Sequence, residues 1–316
     1  MFELYKKREL GDNIVDTFTF FKIFGKHFFK IFFIINGVFL LVMGILVYWF
    51  LKINFQVVFD NNLGEAKPNY LLNYFNDSYG FLAGFIVLFI LIILVLALFN
   101  SSYPIVYLKL IEKNKTNDFT LNDVITGFRQ NLWKILKFCI GLIFIIVPVL
   151  FISIVLMFLL CFVLIGFPLL LIAIPTFFTW VNFCFYSYLT EEMSFFQSIN
   201  HAYHLVKENF WTTIGTTFLV MIIIQMIQGS ITMFLYFIGI FVFFISALGN
   251  PNFDVKPFDG SPILLIFISL LFILIFALSN IFSNMMTVNQ GIIYYSLGAE
   301  DKMSTSEIEL IGTDNE

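Results

Sequence analysis

The stretch GFLAGFIVLFILIILVLALFN, residues 80–100, decides the fold class of this chain. Every residue between Gly80 and Asn100 is apolar, and a helix needs about 20 such residues to cross the roughly 30 Å of hydrocarbon in a bilayer. The run is continuously apolar, whereas a strand of a lipid-facing barrel would alternate. It therefore predicts a transmembrane α-helix.

The composition extends this prediction to the whole chain of 316 residues. Only 12% of the residues are charged and 60% are hydrophobic, and the mean hydropathy is +0.93, which leaves too little polar surface to cover a water-soluble core. Proline obstructs the preceding helical turn, so the third and fourth spans are expected to separate at Gly166, Phe167 and Pro168. We predict an all-α, polytopic membrane protein with six spans at about 31–53, 80–107, 135–163, 168–189, 212–240 and 262–293.

The positions of Lys and Arg predict the orientation. Of the 17 basic residues, 14 lie on the side of the termini, and only Lys52, Lys67 and Lys256 lie on the other. Short loops rich in Lys and Arg stay in the cytoplasm, so both termini are expected there, with the chain in a bacterial inner membrane. The first apolar run is too long for a signal peptide. We expect a single membrane domain at 1–296 and an acidic cytoplasmic tail at 297–316.

Three polar stretches, which precede the first, third and fifth spans, share one pattern. Each has an apolar stripe at helical spacing, and the last two open with the capping-box pairs Thr120 with Asp123 and Ser194 with Gln197. We predict three amphipathic helices that lie in the membrane interface and turn into a span. The stripes are Leu10, Ile14, Phe18 and Phe21; Leu121, Ile125, Phe128 and Leu132; and Phe195, Ile199, Ala202 and Val206.

Large amphipathic rings favour the same interface, and each stretch closes on an aromatic cluster. The expected interfacial contact residues are Phe18, Phe128, Trp133, Phe195, Ile199 and Trp211.

The returning spans also share a pattern at their cytoplasmic ends. Each has a tyrosine followed within about one turn by a glutamate, namely Tyr107 and Glu112, Tyr188 and Glu191, and Tyr295 and Glu300. An asparagine precedes each tyrosine by six or seven residues, at Asn100, Asn182 and Asn289. We predict three tandem repeats at about 10–112, 118–192 and 193–300, related by an axis along the membrane normal. The three asparagines are expected to meet near that axis.

Uncharged polar residues within the spans form a candidate intramembrane cluster. Besides the three asparagines, Gln225 and Gln228 share one helical face, and Asn280 and Asn284 share another. No ionisable residue lies clearly within the hydrocarbon region, which disfavours ion pumping and proton-coupled transport. Two interpretations remain: interhelical hydrogen bonding, which we favour, and a path or pocket for a neutral or amphiphilic solute.

One histidine pair raises the question of a metal site. His201, His204 and Glu208, with Glu191 or Glu192, could ligate a divalent metal ion. The other predicted repeats have no such pair, and no residues that would orient these ligands are evident, so we favour a polar interfacial face.

Motifs for catalysis are missing from the sequence. No P-loop, zincin, nucleophile-elbow or Rossmann pattern occurs, and no basic domain suits nucleic acid. We predict no enzymatic activity, no cofactor, no metal and no nucleic-acid partner.

The segment LTEEMSFFQSINHAYHLVKENFW, residues 189–211, resembles a bacterial polytopic membrane-domain family that includes the membrane part of some glycerophosphodiester phosphodiesterases. GDNIVDTFTFFK at 11–22 and YYSLGAEDKMSTSEIELIG at 294–312 are weaker echoes of it. The resemblance implies a helical membrane fold and no particular activity, because this chain has no soluble region long enough for the catalytic domain.

Two function classes remain. A scaffold or assembly partner, acting on membrane or cytoplasmic proteins through the interfacial helices, predicts a tightly packed axis. A permease or lipid-handling protein predicts a cavity lined by Gln225, Gln228, Asn280 and Asn284. The 45 phenylalanines among 316 residues fit dense aromatic packing, which favours the scaffold.

Overall fold

The computed structural model describes residues 2–59, 79–116, 118–191, 193–248 and 262–313. These residues are helical apart from short connections, and they contain no strand. Six of the helical segments are long and apolar enough to cross a membrane, which confirms the predicted all-α, polytopic fold. The expected outer loops lie largely in 60–78 and 249–261, outside the described residues, as does Glu192.

Each predicted span lies within a helical segment of the structure. The helices are α1 (Leu10–Phe59), α2 (Tyr79–Asn114), α3 (Leu121–Gly141), α4 (Val147–Leu160), α5 (Gly166–Thr190), α6 (Phe195–Glu208), α7 (Phe210–Leu248) and α8 (Pro262–Thr313). A π-helical segment, Leu142–Ile146, joins α3 to α4 directly before Pro148. A wider turn accommodates a proline ring that would otherwise strike the preceding turn, so the third span continues through it.

The break between the third and fourth spans lies earlier than expected. α4 ends at Leu160, a 3₁₀ turn covers Cys161–Val163, and Leu164 is left-handed with φ of 63°. Gly166 and Pro168, the expected break, instead belong to the first turn of α5, where a missing N–H costs no helical hydrogen bond. A Cβ at Gly166 would overlap backbone atoms of the preceding turn, so the close approach there needs glycine.

The amphipathic stretches differ in how they join their spans. In the third, Asn209 (φ −118°, ψ 38°) separates α6 from α7. In the first, α1 is a single helix from Leu10 to Phe59, and in the second, α3 runs into α4 through the π-helical segment. Within the described residues, the expected turn between interfacial helix and span is therefore a helix break only at Asn209.

Both predicted capping boxes form hydrogen bonds. The Ser194 N–H donates to Gln197 Oε1 (3.0 Å), and the Gln197 N–H donates to Ser194 Oγ (3.4 Å). At α3, Asp123 Oδ2 accepts from the N–H of Thr120 (2.7 Å) and from its hydroxyl (2.9 Å). These contacts satisfy amides that a helix start leaves free.

The buried faces of the amphipathic stretches agree with the predicted stripes only for α6. There Ala202 and Val206 are buried, and Phe195 and Ile199 are half-buried. In α3 the expected stripe residues Ile125 and Leu132 are exposed, and Val124, Ile135 and Phe138 are buried instead.

The start of α1 shows why the stripe prediction failed there. The four stripe residues are half-buried, whereas the buried positions, apart from Gly25, are Asn13, Thr17, Phe20, Phe24 and Phe28. Two of these are polar, and the burial of Thr17 is compensated because its hydroxyl donates to the Asn13 carbonyl (2.7 Å) and accepts from Asn289 of α8 (2.9 Å). A hydrophobicity criterion cannot identify such a face.

The chain falls into two compact units. Unit 1 comprises Met1–Ile31, Leu98–Gln225 and Ser283–Glu316, and unit 2 comprises Phe32–Ala97 and Met226–Phe282. The core of unit 2 is apolar, with Met43, Leu46 and Val47 of α1 buried together with Ile92 and Leu96 of α2. The core of unit 1 contains most of the buried polar side chains, and the candidate site lies there.

Candidate functional site

Two adjacent tyrosines of α8 donate hydrogen bonds to α2 and to the end of α5. The hydroxyl of Tyr295 donates to Glu112 Oε2 of α2 (3.0 Å), and that of Tyr294 donates to Glu191, immediately after α5. Successive residues on a helix point about 100° apart, so one turn of α8 reaches both glutamates. We call these four residues the Tyr–Glu joint.

The N-terminal segment closes over the joint. The Tyr5 hydroxyl donates to the other oxygen of Glu112 (2.7 Å), and its ring packs edge-on against Tyr295 with centroids 5.1 Å apart. Burial, and then the carboxylate of Glu112, raise the pKa of Tyr5. The neutral phenol is therefore the form that this arrangement favours.

A buried arginine orders the same segment. Arg8 is only 6% exposed, and its guanidinium donates to Asp16 Oδ2 (2.7 Å) and to the carbonyls of Leu4 (2.7 Å), Lys6 (3.1 Å) and Glu3. A buried charge is tolerated when it is paired and hydrogen-bonded in this way. In the sequence Arg8 is only one of the basic residues on the side of the termini, and nothing there indicates its burial.

A layer of buried side chains, which we call the polar core, joins four helices of unit 1. Asn289 Nδ2 of α8 donates to Thr17 Oγ1 of α1 (2.9 Å), and Gln290 Nε2 donates to Thr217 Oγ1 of α7 (3.0 Å). Thr217 also bonds Thr179 of α5 (3.0 Å), and Gln290 donates to Asn289 Oδ1 (3.2 Å). All five side chains are fully buried, so these contacts link the helices without solvent.

Three oxygens in this region of unit 1 are buried without a hydrogen-bond partner. They are Asn13 Oδ1, Thr213 Oγ1 and Gln290 Oε1. Asn13 lies one turn before Thr17, and Thr213 lies one turn before Thr217. Buried acceptors of this kind are ordinarily satisfied by ordered water.

His201 supports the joint from α6. Its Nδ1 lies 2.9 Å from Ser187 Oγ and 3.9 Å from Glu191 Oε2, and Ser187 Oγ also lies 3.2 Å from the Tyr294 hydroxyl. Serine and carboxylate both approach the same ring nitrogen, whereas a catalytic triad uses the two opposite nitrogens. The contacts instead fasten α6 to the end of α5.

The residues of the possible metal site do not converge on one point. His201 is engaged with Ser187, while His204 and Glu208 are exposed. His201 and His204 border a surface cavity of about 410 Å³ with Gln197 and Asn200. Among the described residues, no group of three His, Cys, Asp or Glu side chains is arranged to hold a metal ion.

The third histidine was not singled out from the sequence. His27 Nε2 lies 3.1 Å from the carbonyl of Phe119, and its Nδ1 lies 2.7 Å from the Tyr107 hydroxyl. A carbonyl only accepts, so Nε2 carries the proton, and in the neutral ring Nδ1 accepts from Tyr107. Phe28 packs on Tyr103 and Tyr107 (4.7 and 4.8 Å between centroids), and Phe119 packs on Tyr107 (4.9 Å), so α1, α2 and the segment before α3 share one aromatic cluster.

The three asparagines expected on the axis have different partners. Asn100 donates to Ser283 (3.0 Å) and accepts from Asn284 (2.5 Å), so two residues of the predicted intramembrane cluster do meet. Asn182 donates to the carbonyl of Phe178 in its own helix (2.8 Å), and Asn289 belongs to the polar core. No direct hydrogen bond therefore joins Asn100, Asn182 and Asn289.

The remaining residues of that cluster lie apart from these contacts. Gln225 is exposed in unit 1. In unit 2, Gln228 donates to Ser279 (3.1 Å), and Asn280 donates to the carbonyl of Phe276, one turn earlier in α8 (2.8 Å).

The six expected interfacial contact residues divide into two groups. Phe18, Phe128, Phe195 and Ile199 are half-buried; Phe128 stacks on Phe99 (4.6 Å) and Phe195 packs against Phe138 (5.7 Å). Trp133 and Trp211 are 68% and 75% exposed. Only the two tryptophans present most of their surface outward.

The three tyrosines of the predicted repeats also have different roles. Tyr107 bonds His27, Tyr188 packs on Phe138 (5.6 Å), and Tyr295 bonds the glutamate of the first hairpin. The side chain of Glu300 lies outside the described residues. The threefold repeat stays a prediction.

Comparison of the chain with models of known protein families, with curated proteins and with solved structures finds no match. The resemblance to the membrane part of glycerophosphodiester phosphodiesterases therefore stays a prediction.

Proposed function

We propose that this integral membrane protein is a non-enzymatic scaffold or assembly partner that engages other proteins through its interfacial helices. The observation that carries the proposal is the polar core. Thr17, Asn289 and Gln290 are fully buried and bonded to one another or to neighbouring helices. They hold helices together, as neutral polar residues do at transmembrane helix contacts.

The glutamates that could act as a catalytic acid or base are likewise engaged in hydrogen bonds within the protein. Both oxygens of Glu112 accept from tyrosines, and Glu191 accepts from Tyr294. A carboxylate held by phenol donors is stabilised as an acceptor. This supports a rigid platform at the joint.

Exposed aromatic side chains provide the surface for a partner. Trp133 of α3 lies beside Lys137 (5.9 Å from the ammonium to the ring centroid), and Trp211 of α7 and Phe196 of α6 are also largely exposed. Tryptophan is enriched both at membrane interfaces and at the energetic centres of protein contacts. The proposal places these residues and both termini at the cytoplasmic face of a bacterial inner membrane.

Site-specific photo-crosslinking in intact membranes tests the proposal. A photoreactive residue at position 133 or 211 is expected to give discrete protein adducts. Trp49 is the matched control, since it is also an exposed tryptophan with a lysine near its ring (Lys52, 5.3 Å), but lies in unit 2. Adducts with lipid alone at 133 and 211, or the same protein adducts at all three positions, would overturn the scaffold assignment.

The alternative is a permease or a lipid-handling protein, and the polar side chains give it less support. Its cavity requires Gln228 and Asn284 to line an open path, but Gln228 bonds Ser279 and Asn284 bonds Asn100. Uptake of an amphiphile into vesicles that contain the purified protein, blocked by changing Gln225 or Asn284, would favour this alternative.

A further inference from the structure

A groove of about 370 Å³ runs along the outside of unit 1 between α4, α5, α6 and the first residue of α7. Its walls include Val149 of α4, Phe177 and Trp180 of α5, and Tyr203 and Lys207 of α6. The lining surface is wholly apolar, so Lys207 contributes its alkyl stem. We call this feature the lateral groove.

The lateral groove is open to the surroundings of the protein. No residue of α4 is buried, and Val149 and Tyr203 are 51% and 53% exposed. α4 belongs to a segment that is apolar enough to span the membrane, so acyl chains of the bilayer have access to this wall. The volume is at the small end of the range for ligand sites, which suits one chain better than a helix of another protein.

One wall residue contains a donor that the protein leaves unsatisfied. The indole Nε1 of Trp180 is buried and has no hydrogen-bond partner. The nearby hydroxyl of Thr176, another lining residue, is directed to the carbonyl of Ile172 (2.7 Å). An indole N–H can only donate, and a buried donor without an acceptor is unusual. Because this nitrogen has no accessible surface and the lining of the groove is wholly apolar, Trp180 offers the groove its ring and not its N–H.

The charge at the groove specifies the ligand further. Lys207 is exposed and makes no ion pair with any described residue, although Glu208 follows it in sequence. An ammonium group beside the apolar lateral groove matches an amphiphile with an anionic head and an acyl chain. Anionic lipids gain about 1 kcal/mol for each nearby basic residue.

We propose that the lateral groove binds one acyl chain of an anionic phospholipid drawn from the surrounding bilayer. Lys207 contacts the phosphate, and the Trp180 ring packs against the acyl chain. A phospholipid has an anionic phosphate a few bonds above its chains, so a single molecule meets both the lysine and the apolar groove. The proposal does not depend on the scaffold function.

The test compares phosphatidylglycerol with phosphatidylcholine of identical acyl chains, by native mass spectrometry of the full chain and by the lipid-dependent shift in its melting temperature. Wild-type protein is expected to retain phosphatidylglycerol preferentially. Lys207→Gln should weaken that binding about fivefold and weaken phosphatidylcholine binding less, because the choline cation already compensates the charge of its phosphate. Lys22→Gln is the matched charge control, because Lys22 is also exposed and unpaired among the described residues.

Two further variants test the groove itself. Trp180→Leu reduces the apolar wall that contacts the chain and should weaken binding of both lipids about threefold. Val149→Trp fills the groove from an exposed position and should abolish retention; an unchanged circular dichroism spectrum and melting temperature in lipid-free detergent show that the variant folds. Retention of phosphatidylglycerol by folded Val149→Trp, or equal loss in Lys207→Gln and Lys22→Gln, would overturn the proposal.

Discussion

Unit 1 and unit 2 share the helices α1, α2, α7 and α8, to which unit 1 adds α3 to α6, and they are stabilised differently. In unit 1, hydrogen bonds between buried side chains, such as Asn289 with Thr17 and Tyr295 with Glu112, select particular neighbours. In unit 2, Met43, Leu46 and Ile92 pack in an apolar core. Apolar surface in a bilayer gains little from burial, because lipid tails are as apolar as leucine. Directional hydrogen bonds therefore select which helices pair in unit 1. In unit 2 the pairing depends on how closely the apolar side chains pack together.

The largest expected effect is the difference in stability loss between an alanine substitution at one glycine of unit 1 and at one glycine of unit 2. A Cβ at Gly291 would overlap Leu108 and the ring of Tyr186, which is fixed by a hydrogen bond to the Thr287 carbonyl (2.9 Å) and by stacking on Tyr294. Gly291→Ala should lower the free energy of unfolding by about 3 kcal/mol. Unfolding in mixed detergent micelles, followed by tryptophan fluorescence, measures it.

Gly44→Ala is the matched change in unit 2. The new Cβ would meet only the end of the Ile273 side chain, which can rotate away, so the cost should be less than about 1 kcal/mol. Equal losses for the two alanine variants would show that the two units are equally tightly specified.

The next effect concerns the Tyr–Glu joint. Glu112→Ala removes the acceptor of Tyr5 and Tyr295 and leaves the buried Tyr295 hydroxyl without a partner. We expect a loss of about 2 kcal/mol in the free energy of unfolding. Glu112→Gln keeps an acceptor oxygen and should lose about half as much.

The unit 2 counterpart of this test is Gln228→Leu. It removes one neutral hydrogen bond to Ser279 and should cost about 0.6 kcal/mol, the average for such contacts in a membrane. A larger loss for Gln228→Leu than for Glu112→Ala in the same micelles would reverse the comparison between the units.

Two buried asparagines should respond with opposite signs. Asn289→Leu removes the bonds to Thr17 and Gln290 and is expected to lower the free energy of unfolding by about 1 to 2 kcal/mol. Asn36 of unit 2 is 1% exposed, and neither its oxygen nor its nitrogen has a partner. Asn36→Leu should raise stability by about 1 kcal/mol. Destabilisation by Asn36→Leu would reveal a partner for that amide.

The smallest effect depends on pH. The pKa of Tyr5 is raised from its ordinary value of 10, so the folded state binds the phenolic proton more tightly than the unfolded state. The contribution is fully present below pH 10 and is lost as the pH rises further. The difference in melting temperature between wild type and Tyr5→Phe should therefore shrink between neutral pH and about pH 11. A constant difference would mean that the Tyr5 ring stabilises the fold by packing and that its hydroxyl does not contribute.

The spans were predictable because their signal is local. Residues 81–99 contain no polar side chain, and a helix is then the favoured way to satisfy the backbone in lipid. The break before α5 was misplaced by a few residues, since the left-handed Leu164 has no residue preference that would mark it. Proline and glycine marked the adjacent helix start instead.

The candidate site was only half predictable, because its contacts join distant parts of the chain. The pattern of tyrosine followed by glutamate was evident, yet Tyr295 bonds Glu112, 183 residues away. Thr17, Thr179 and Thr217 were missed, since an isolated threonine in an apolar helix is unremarkable in sequence. Only the partners of these residues show that they form one layer.

The continuity of α8 has a mechanical consequence. The helix runs without interruption from Pro262 to Thr313, so its last turns form a rigid lever attached to the turn that carries Tyr294 and Tyr295. Rotation of that lever about its own axis would move both phenols off their carboxylates together. A torque applied beyond Tyr295 would therefore act on α2 and on the end of α5 at once, with no intervening hinge to absorb it.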